Sequence, residues 1–175
     1  MSAPIYNVLF LCTGNSARSI FAEAILNQLA GDRFRAFSAG SHPKGEVHPI
    51  ALAHLKKLGL RWEVARSKSW DEYSKAGAPE MDFVFTLCDR AQQEACAIGW
   101  PGDPITAHWG IPDPAAAQGS KDEQTHAFNA AYLQIQNRIA LFLALPLASI
   151  DRLSLHKRLT EIGKNQEITN AHESK

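Results

Sequence analysis

The sequence predicts an α/β protein built on a doubly wound, four-stranded parallel sheet in three layers, with a C-terminal helical extension. Short runs of β-branched and aromatic residues alternate with segments whose apolar residues recur at helical spacing. These runs are apolar at nearly every position, which is typical of strands buried on both faces of a parallel sheet. The length of 175 residues suits one domain, placed at residues 1–146, followed by a helix and a flexible tail at 147–175.

Each predicted element follows from its local pattern. Pro49 suits the first turn of the second helix, and Gly59 follows the end of that helix. Strands are predicted at residues 5–11, 34–39, 82–87 and 105–109, and helices at 19–29, 49–58, 121–145 and 150–162. Ligands bind at the carboxyl ends of the strands in such sheets. Cys12 and Cys88 follow the first and third strands, so they are the first candidates for a site.

The charges and the apolar runs exclude several classes of function. Eighteen Lys and Arg balance eighteen Asp and Glu and are scattered, so we expect no nucleic-acid or membrane partner. The longest apolar run, residues 139–150, contains Pro146 and is shorter than the ~20 residues that span a bilayer. The N-terminus lacks the basic region of a secretion signal, so we expect a cytoplasmic protein. In that reducing compartment the three cysteines stay as thiols available for chemistry.

Residues 12–19, C-T-G-N-S-A-R-S, form the most informative segment of the chain. They connect a buried strand to a helix and place five residues between a thiol and the guanidinium of Arg18. Backbone N–H groups of such a loop converge on an anion, the helix N-terminus adds its positive end, and Arg18 can hold two oxygens. Gly14 and Asn15 tolerate the positive φ that this curl requires. The segment therefore predicts a site for a tetrahedral oxyanion.

The electrostatic field of this loop also bears on its cysteine. The field that binds an anion favours the thiolate form of Cys12, which predicts a nucleophile. Ser19 is placed to donate its hydroxyl to that sulfur. The alternatives are a buried cysteine that merely ends a strand and a serine that caps the helix. The combination of Cys12 with Arg18 favours the functional interpretation.

The same residues carry a resemblance to a known family. C-T-G-N-S-A-R-S after a buried strand, with Asp113-Pro114 in a loop roughly a hundred residues later, resembles the low-molecular-weight tyrosine phosphatase superfamily over about residues 5–145. The resemblance implies the strand order 2-1-3-4. It also implies that Cys12 is the nucleophile, that Arg18 binds the oxyanion and that Asp113 is the general acid. The oxyanion-binding loop then comprises Thr13, Gly14, Asn15, Ser16, Ala17, Arg18 and Ser19, with Asn15 and Ser19 holding its shape.

Two reactions share the first step of this chemistry and differ in their need for further thiols. A phosphatase hydrolyses its thiophosphate with water, whereas an arsenate reductase forms a disulfide as arsenite departs. Cys88 ends the third strand, whose backbone would lie about 4.8 Å from the first strand if the two are neighbours. Cys96 follows after seven residues, in a polar stretch that is short-helical or flexible and able to bring the two sulfurs together. The alternatives are a core cysteine at 88 and an incidental surface cysteine at 96.

A second resemblance separates these reactions. The segments T-L-C-D-R-A-Q-Q-E-A-C and A-H-W-G-I-P-D-P-A closely resemble a bacterial arsenate reductase subgroup of the superfamily. This implies that Cys88 attacks the arsenic adduct on Cys12 and that Cys96 is the resolving thiol. Tyrosine phosphatases typically carry an aromatic residue after the D-P pair, but residues 115–117 are all alanine here. A small inorganic oxyanion therefore fits better than an aryl ester.

The chain also departs from the reductases that it resembles. Ala17 stands where many members have a second loop cysteine, so Cys12 must find a disulfide partner farther away. The interval between Cys88 and Cys96 is one residue longer than in the thioredoxin-coupled reductases. The reductant is therefore left open between thioredoxin and glutathione with glutaredoxin.

The resemblance raises one question about a metal. Some of these reductases bind potassium beside the loop, and Asn15, Glu23 and Ser38 match that site. That potassium site also contains an acidic residue, and this sequence has Ser69 at its position. The sequence therefore does not decide whether a metal ion is bound.

We therefore expect an arsenate reductase that needs no cofactor and takes arsenate, with phosphate or sulfate as analogues. One alternative is a phosphatase acting on phosphotyrosine or small esters. Another is a non-enzymatic sensor of redox state or oxyanions. The expected assembly is a monomer or a weak homodimer.

Overall fold

The computed structural model describes residues 3–164, and its centre is a parallel sheet. The order across the sheet is β2-β1-β3-β4, and each neighbouring pair is parallel. The strands are β1 (Tyr6–Cys12), β2 (Phe34–Gly40), β3 (Phe83–Thr86) and β4 (Ile105–His108). The predicted four-stranded parallel sheet and its order 2-1-3-4 are confirmed.

Six α-helices and two short 3₁₀ helices surround the sheet within the described range. The helices are α1 (Arg18–Ala30), α2 (Pro49–Lys57), α3 (Asp71–Ser74), α4 (Asp89–Ala95), α5 (Lys121–Leu143) and α6 (Arg152–Lys164), with 3₁₀ helices at Trp62–Val64 and Pro114–Ala116. The four predicted helices correspond to α1, α2, α5 and α6. The sequence missed α3, because a helix of four residues is too short to show a periodic pattern.

Side chains from both faces of the sheet are buried, which produces the three layers. Along β1, Val8 and Phe10 join a large cluster with residues of α1, α2, α5 and α6. Leu9 and Leu11 point to the other face and join a smaller cluster with α3 and α4. Because β1 is covered on both faces, its carboxyl end and the loop that follows rest on a rigid base.

Helix α6 packs into the larger cluster. Leu155, Leu159 and Ile162 are buried there, and Trp109 Nε1 donates to the Leu159 carbonyl at 3.0 Å. Gly163 is so close to β4 that an added Cβ would lie 2.1 Å from the backbone oxygen of His108. The tail predicted from Gly163 onward begins later, because α6 continues to Lys164, and residues 165–175 of that tail lie outside the described part of the chain. Among the helices that the structure describes, none combines the length and apolar character needed to cross a membrane.

Candidate active site

The loop between β1 and α1 directs most of its carbonyl groups toward the segment of residues 41–48. Four of its carbonyl oxygens, those of Cys12, Thr13, Gly14 and Ser16, accept backbone N–H groups from residues 41–48 at 2.9–3.2 Å. The N–H groups of Ser16, Ala17 and Arg18 have no protein acceptor in the part of the chain described. Ala17 precedes α1 without a side-chain cap, so the first turn of that helix also keeps free donors. Free N–H donors at this place suit the anion-binding nest that the sequence predicts.

The shape of this loop depends on Gly14 and Asn15 within it and on Gly40 at the end of β2. Asn15 has a φ of +46°, as predicted. Gly14, which would tolerate a positive φ, does not adopt one. A Cβ at Gly14 would lie 3.3 Å from side-chain carbons of Lys44, so this glycine makes room for the lysine. A Cβ at Gly40 would lie 2.5 Å from the Thr13 oxygen, so only glycine lets β2 approach the loop.

The sulfur of Cys12 lies at the base of this loop, and Cys12 is 2% exposed. Ser19 Oγ is 2.9 Å from it, and the Asn15 N–H donates to it at 3.3 Å. Ser19 does not cap α1, because the N-cap residue is Ala17. Asn15 Nδ2 in turn donates to Ser19 Oγ at 2.7 Å. These hydrogen bonds suit a negatively charged sulfur, because both neighbours of Cys12 can donate to it.

Arg18 and Asp113 face each other across the site. Arg18 Nη2 lies 3.7 Å from Asp113 Oδ2, and its Nη1 donates to the Ile111 carbonyl at 3.1 Å. Asp113 Oδ1 accepts the N–H of Ala115 at 3.0 Å, which fixes the carboxyl at the start of the short 3₁₀ helix. The Asp113 side chain is 44% exposed, so it is accessible to solvent while it faces Arg18. The structure therefore brings the predicted guanidinium and carboxyl groups together, beside the loop that holds the predicted thiol.

Cys88 lies beside the same loop. The Leu87 N–H donates to the Leu11 carbonyl at 2.8 Å, so the ends of β1 and β3 are adjacent. Cys88 is the N-cap of α4, and its sulfur accepts the Ala91 N–H at 3.4 Å. The same sulfur lies 3.1 Å from Thr13 Oγ1. The side chain next to Cys12 in sequence thus contacts the second thiol directly.

Cys96 lies at the opposite end of α4 from Cys88. It is exposed, and its thiol donates to the Gln92 carbonyl at 3.2 Å. Eight residue steps along a helix span about 12 Å, whereas the Cα atoms of a disulfide are about 5.5 Å apart. The structure does not bring these two sulfurs together, and all three cysteines are free thiols in it. The prediction that this stretch is short-helical is confirmed, and a bridge between the two residues requires α4 to unwind.

Two buried cations near the site were missed by sequence reasoning. Arg138, 5% exposed, donates to the Gly110 carbonyl at 2.8 Å and so supports the loop that carries Asp113. Burial lowers the pKa of the Arg138 guanidinium. Lys68 is 7% exposed and contacts both Asn15 and Ser38. The one sequence feature that could have pointed to Lys68 is its neighbour Ser69, which stands where the resemblance implies an acidic residue.

Glu23 forms an ion pair with Lys68, with 3.8 Å between Glu23 Oε2 and Lys68 Nζ. Burial lowers the pKa of Lys68, and the nearby carboxylate partly offsets that effect. Burial also raises the pKa of Glu23, offset by the lysine and by a hydrogen bond from Ser38. Each charge therefore depends on the other to stay ionised inside the protein.

Together, the fold and the loop define a protein with a buried cysteine and an arginine in one loop and an aspartate that faces the arginine, an arrangement that suits a tetrahedral oxyanion. The chain belongs to the family described as low molecular weight phosphotyrosine protein phosphatase, which matches residues 7–154. The resemblance of the loop and of the Asp113 segment to this superfamily is thereby confirmed.

Several relatives within this superfamily carry a narrower description. The chain is 34% identical to an arsenate reductase of Halalkalibacterium halodurans and 35% identical to one of Bacillus subtilis. Each match spans 135 residues, 77% of this chain and 93% of the relative. A crystal structure of arsenate reductase from Archaeoglobus fulgidus is 28% identical with a TM-score of 0.61, covering 79% of this chain and 99% of that one.

Proposed function

We propose that this protein reduces arsenate to arsenite with its own three thiols, and that an external thiol system restores them. The relatives described as arsenate reductases support this proposal. The observation that carries it is the position of Cys88, whose sulfur contacts Thr13 of the oxyanion-binding loop. Hydrolysis of a phosphate ester has no use for a second thiol at that place, whereas reduction of arsenate requires one.

The reaction begins at the loop. Arg18 and the loop N–H groups bind arsenate, and the Cys12 thiolate forms a bond to arsenic as one oxygen leaves. Asp113 donates the proton that this oxygen needs to depart as water. The arsenic is still in its +5 state at this point, because no electrons have been transferred to it.

Reduction occurs when a second thiolate arrives. Cys88 attacks the sulfur of Cys12, and the electron pair of the sulfur–arsenic bond passes to arsenic, which leaves as arsenite. Two thiolates have then lost two electrons and formed a disulfide. Cys96 attacks Cys88 next, which frees Cys12 and moves the disulfide to the surface segment. Thioredoxin, or glutathione with glutaredoxin, reduces that disulfide and completes the cycle.

The structure of α4 suits this transfer. The helix has seven residues, and most of its side chains are exposed, including Arg90 and Gln92. Ala91 and Ala95 are its two buried residues. Because so little apolar surface holds the helix, unwinding it to join Cys88 and Cys96 costs little relative to opening the core.

A phosphatase remains the second candidate, favoured by the complete set of Cys12, Arg18 and Asp113. These three groups are sufficient for hydrolysis of a phosphate monoester by way of a thiophosphate. The stretch after Asp113-Pro114 contains only alanines at 115–117, so this loop offers no ring to stack on an aryl ester.

One set of assays separates the two candidates. Arsenate turnover is measured with thioredoxin and its reductase, and separately with glutathione and glutaredoxin, beside hydrolysis of an aryl phosphate. We expect arsenate turnover with one of the two reductants. Turnover of the ester alone would select the phosphatase, and turnover of neither substrate would select a non-enzymatic sensor.

Variants at the second and third thiols sharpen this result. Cys88→Ser is expected to stop multiple turnover on arsenate while sparing ester hydrolysis, because hydrolysis needs only the loop and Asp113. Equal loss of both activities would assign Cys88 a structural role. Mass mapping after one arsenate turnover should find a Cys88–Cys96 bridge, and a Cys12–Cys88 bridge in Cys96→Ser. Glutathione bound to Cys12 or Cys88 would show that Cys96 is dispensable.

A further inference from the structure

The ammonium group of Lys68 lies inside the protein, beside the oxyanion-binding loop. Its side chain is 5% exposed. Nζ lies 2.9 Å from the Arg66 carbonyl, 3.1 Å from Ser38 Oγ and 3.5 Å from Asn15 Oδ1. The carboxylate of Glu23 is 3.8 Å away. Four oxygen-bearing groups therefore surround one positively charged nitrogen.

The hydrogen bonds show that this nitrogen must act as a donor to three groups. The Arg66 carbonyl can only accept. Ser38 donates its own proton to Glu23 at 2.5 Å, so its oxygen is left to accept from Lys68. Asn15 Oδ1 also accepts only, because the amide of the same side chain donates to Ser19. Three acceptors match the three protons of an ammonium, whereas a neutral amine has two.

The residues around Lys68 include those that match the potassium site of some related reductases, but they do not fit a potassium ion here. Asn15, Glu23 and Ser38 direct their oxygens at the lysine instead. Ser69, at the position of the remaining acid, makes a local hydrogen bond instead: its Oγ accepts the Asp71 N–H at 3.2 Å. A second cation would share one carboxylate with the ammonium at close range, which is strongly unfavourable in a buried site.

A chain of hydrogen bonds connects Lys68 to the candidate nucleophile. Asn15 Oδ1 accepts from the Lys68 backbone N–H at 2.8 Å as well as from its ammonium. This fixes the amide so that Nδ2 donates to Ser19 Oγ at 2.7 Å. Because the Ser19 oxygen accepts this bond, its proton is free to point at Cys12 Sγ, 2.9 Å away. The orientation of each group determines that of the next.

We infer that Lys68 is a positioning residue that supplies an internal ammonium where related reductases bind potassium, and that it orients Asn15 and Ser19 toward the Cys12 thiolate. Activity is consequently independent of potassium. The inference rests on Cys12 being the nucleophile, as the proposed function states. It applies equally to arsenate reduction and to ester hydrolysis, since both begin at this sulfur.

The test compares Lys68→Met with Lys75→Met, which makes the same change at an exposed lysine. The rate of Cys12 alkylation by iodoacetamide is followed by mass spectrometry of its peptide, together with kcat on an aryl phosphate. Hydrogen bonds to charged groups are worth enough that we expect Lys68→Met to lower both rates by about tenfold to a hundredfold. Lys75→Met should match the wild type. Circular dichroism confirms that each variant is folded.

Salt exchange provides a test that needs no variant. The wild type is assayed in potassium chloride and in choline chloride at equal ionic strength, and its thermal midpoint is measured in both. We expect no difference. A faster alkylation rate or a higher thermal midpoint in potassium chloride would overturn the inference. The inference would also be overturned if Lys68→Met showed the same Cys12 alkylation rate and the same kcat as the wild type.

Lys68→Ala leaves the four oxygen-bearing groups around an empty space. Potassium should restore part of the Cys12 alkylation rate in this variant while choline should not, a response that a purely structural lysine would not produce. No difference between the two salts would overturn the assignment of a cation position. Because alkylation involves neither arsenate nor a reductant, these outcomes do not depend on whether arsenate is turned over.

Discussion

The loop of residues 12–19 and the segment of residues 88–96 each place one thiol at the carboxyl edge of the sheet, but they are held in different ways. In the loop, Cys12, Asn15 and Ser19 are buried and bonded to one another. In the segment, Cys96 is exposed, and the contacts of α4 are mainly those of Ala91 and Ala95.

This difference matches two chemical requirements. A site that stabilises a transition state must hold its groups still, because misplaced donors lose most of their effect. A thiol relay must move sulfur atoms from hydrogen-bonded positions into bonding distance, so its segment must open easily. On the proposed mechanism, the molecule therefore combines a rigid region for the first step with a weakly held region for the second.

The largest effect is expected at the rigid loop, from Cys12→Ser. A hydroxyl in this position is not ionised near neutral pH, so arsenate reduction and ester hydrolysis should both fall by at least about 10³-fold. The two rates are measured at the same protein concentration with Cys88→Ser alongside. If Cys12→Ser retained either activity, the loop would lose its assigned role.

Asp113→Asn should lower kcat by about 10²–10⁴-fold, the usual contribution of a general acid. Oxyanion affinity should be unchanged or improved, since a negative charge near the anion is removed. The control is a comparison of leaving groups. The leaving oxygen of an ester with an acidic phenol needs little protonation, so Asp113→Asn should reduce kcat less for such esters than for alkyl esters or arsenate. A uniform loss, or one confined to KM, would show that Asp113 only shapes its loop.

Arg18→Lys tests whether the loop needs a planar fork or only a positive charge. Lysine cannot bind two oxygens in one plane or retain the same bond to the Ile111 carbonyl. We expect kcat/KM to fall by about ten- to a hundredfold, the equivalent of one or two charged hydrogen bonds. Near-normal kcat/KM for arsenate and for ester would mean that charge alone suffices.

Thr13→Val examines the contact between the two regions. Removing the hydroxyl that contacts Cys88 Sγ should slow arsenate turnover by roughly two- to tenfold, as expected for one hydrogen bond. Ester hydrolysis should stay within about threefold of wild type, because Cys88 takes no part in it. Thr13→Ser keeps the hydroxyl and serves as the matched control. Equal slowing of both reactions would place the effect in the loop itself.

The smallest effect is expected on stability at α4. Arg90 pairs with Glu94 at the surface, so Arg90→Ala should reduce the free energy of unfolding by at most about 0.5 kcal/mol. Ser38→Ala, in the buried cluster under the loop, should reduce it by about 1–3 kcal/mol. Urea unfolding of both variants gives the comparison. Equal losses would mean that α4 is held as firmly as the loop.

Much of the fold could be predicted because its signals are local. The strands are continuous apolar runs, and helices such as α5 repeat their apolar residues over many turns. Most of the candidate site was also predictable, since Cys12 and Arg18 share one short segment between a strand and a helix. Asp113 was found through its family resemblance, as was the strand order. The room that Gly14 leaves for Lys44 was not predicted, because Lys44 comes from a different part of the chain.

The sequence by itself determined the alternation of strands and helices, the oxyanion-binding loop and the three thiols that could react. Only the tertiary structure decided which distant groups meet: Thr13 with Cys88, and the ammonium of Lys68 with Asn15. It also separated Cys88 from Cys96 by making a helix of the residues between them. The physical reason is that periodicity and loop spacing depend on neighbours along the chain. Contacts between side chains 53 or 75 residues apart depend instead on how the folded layers pack.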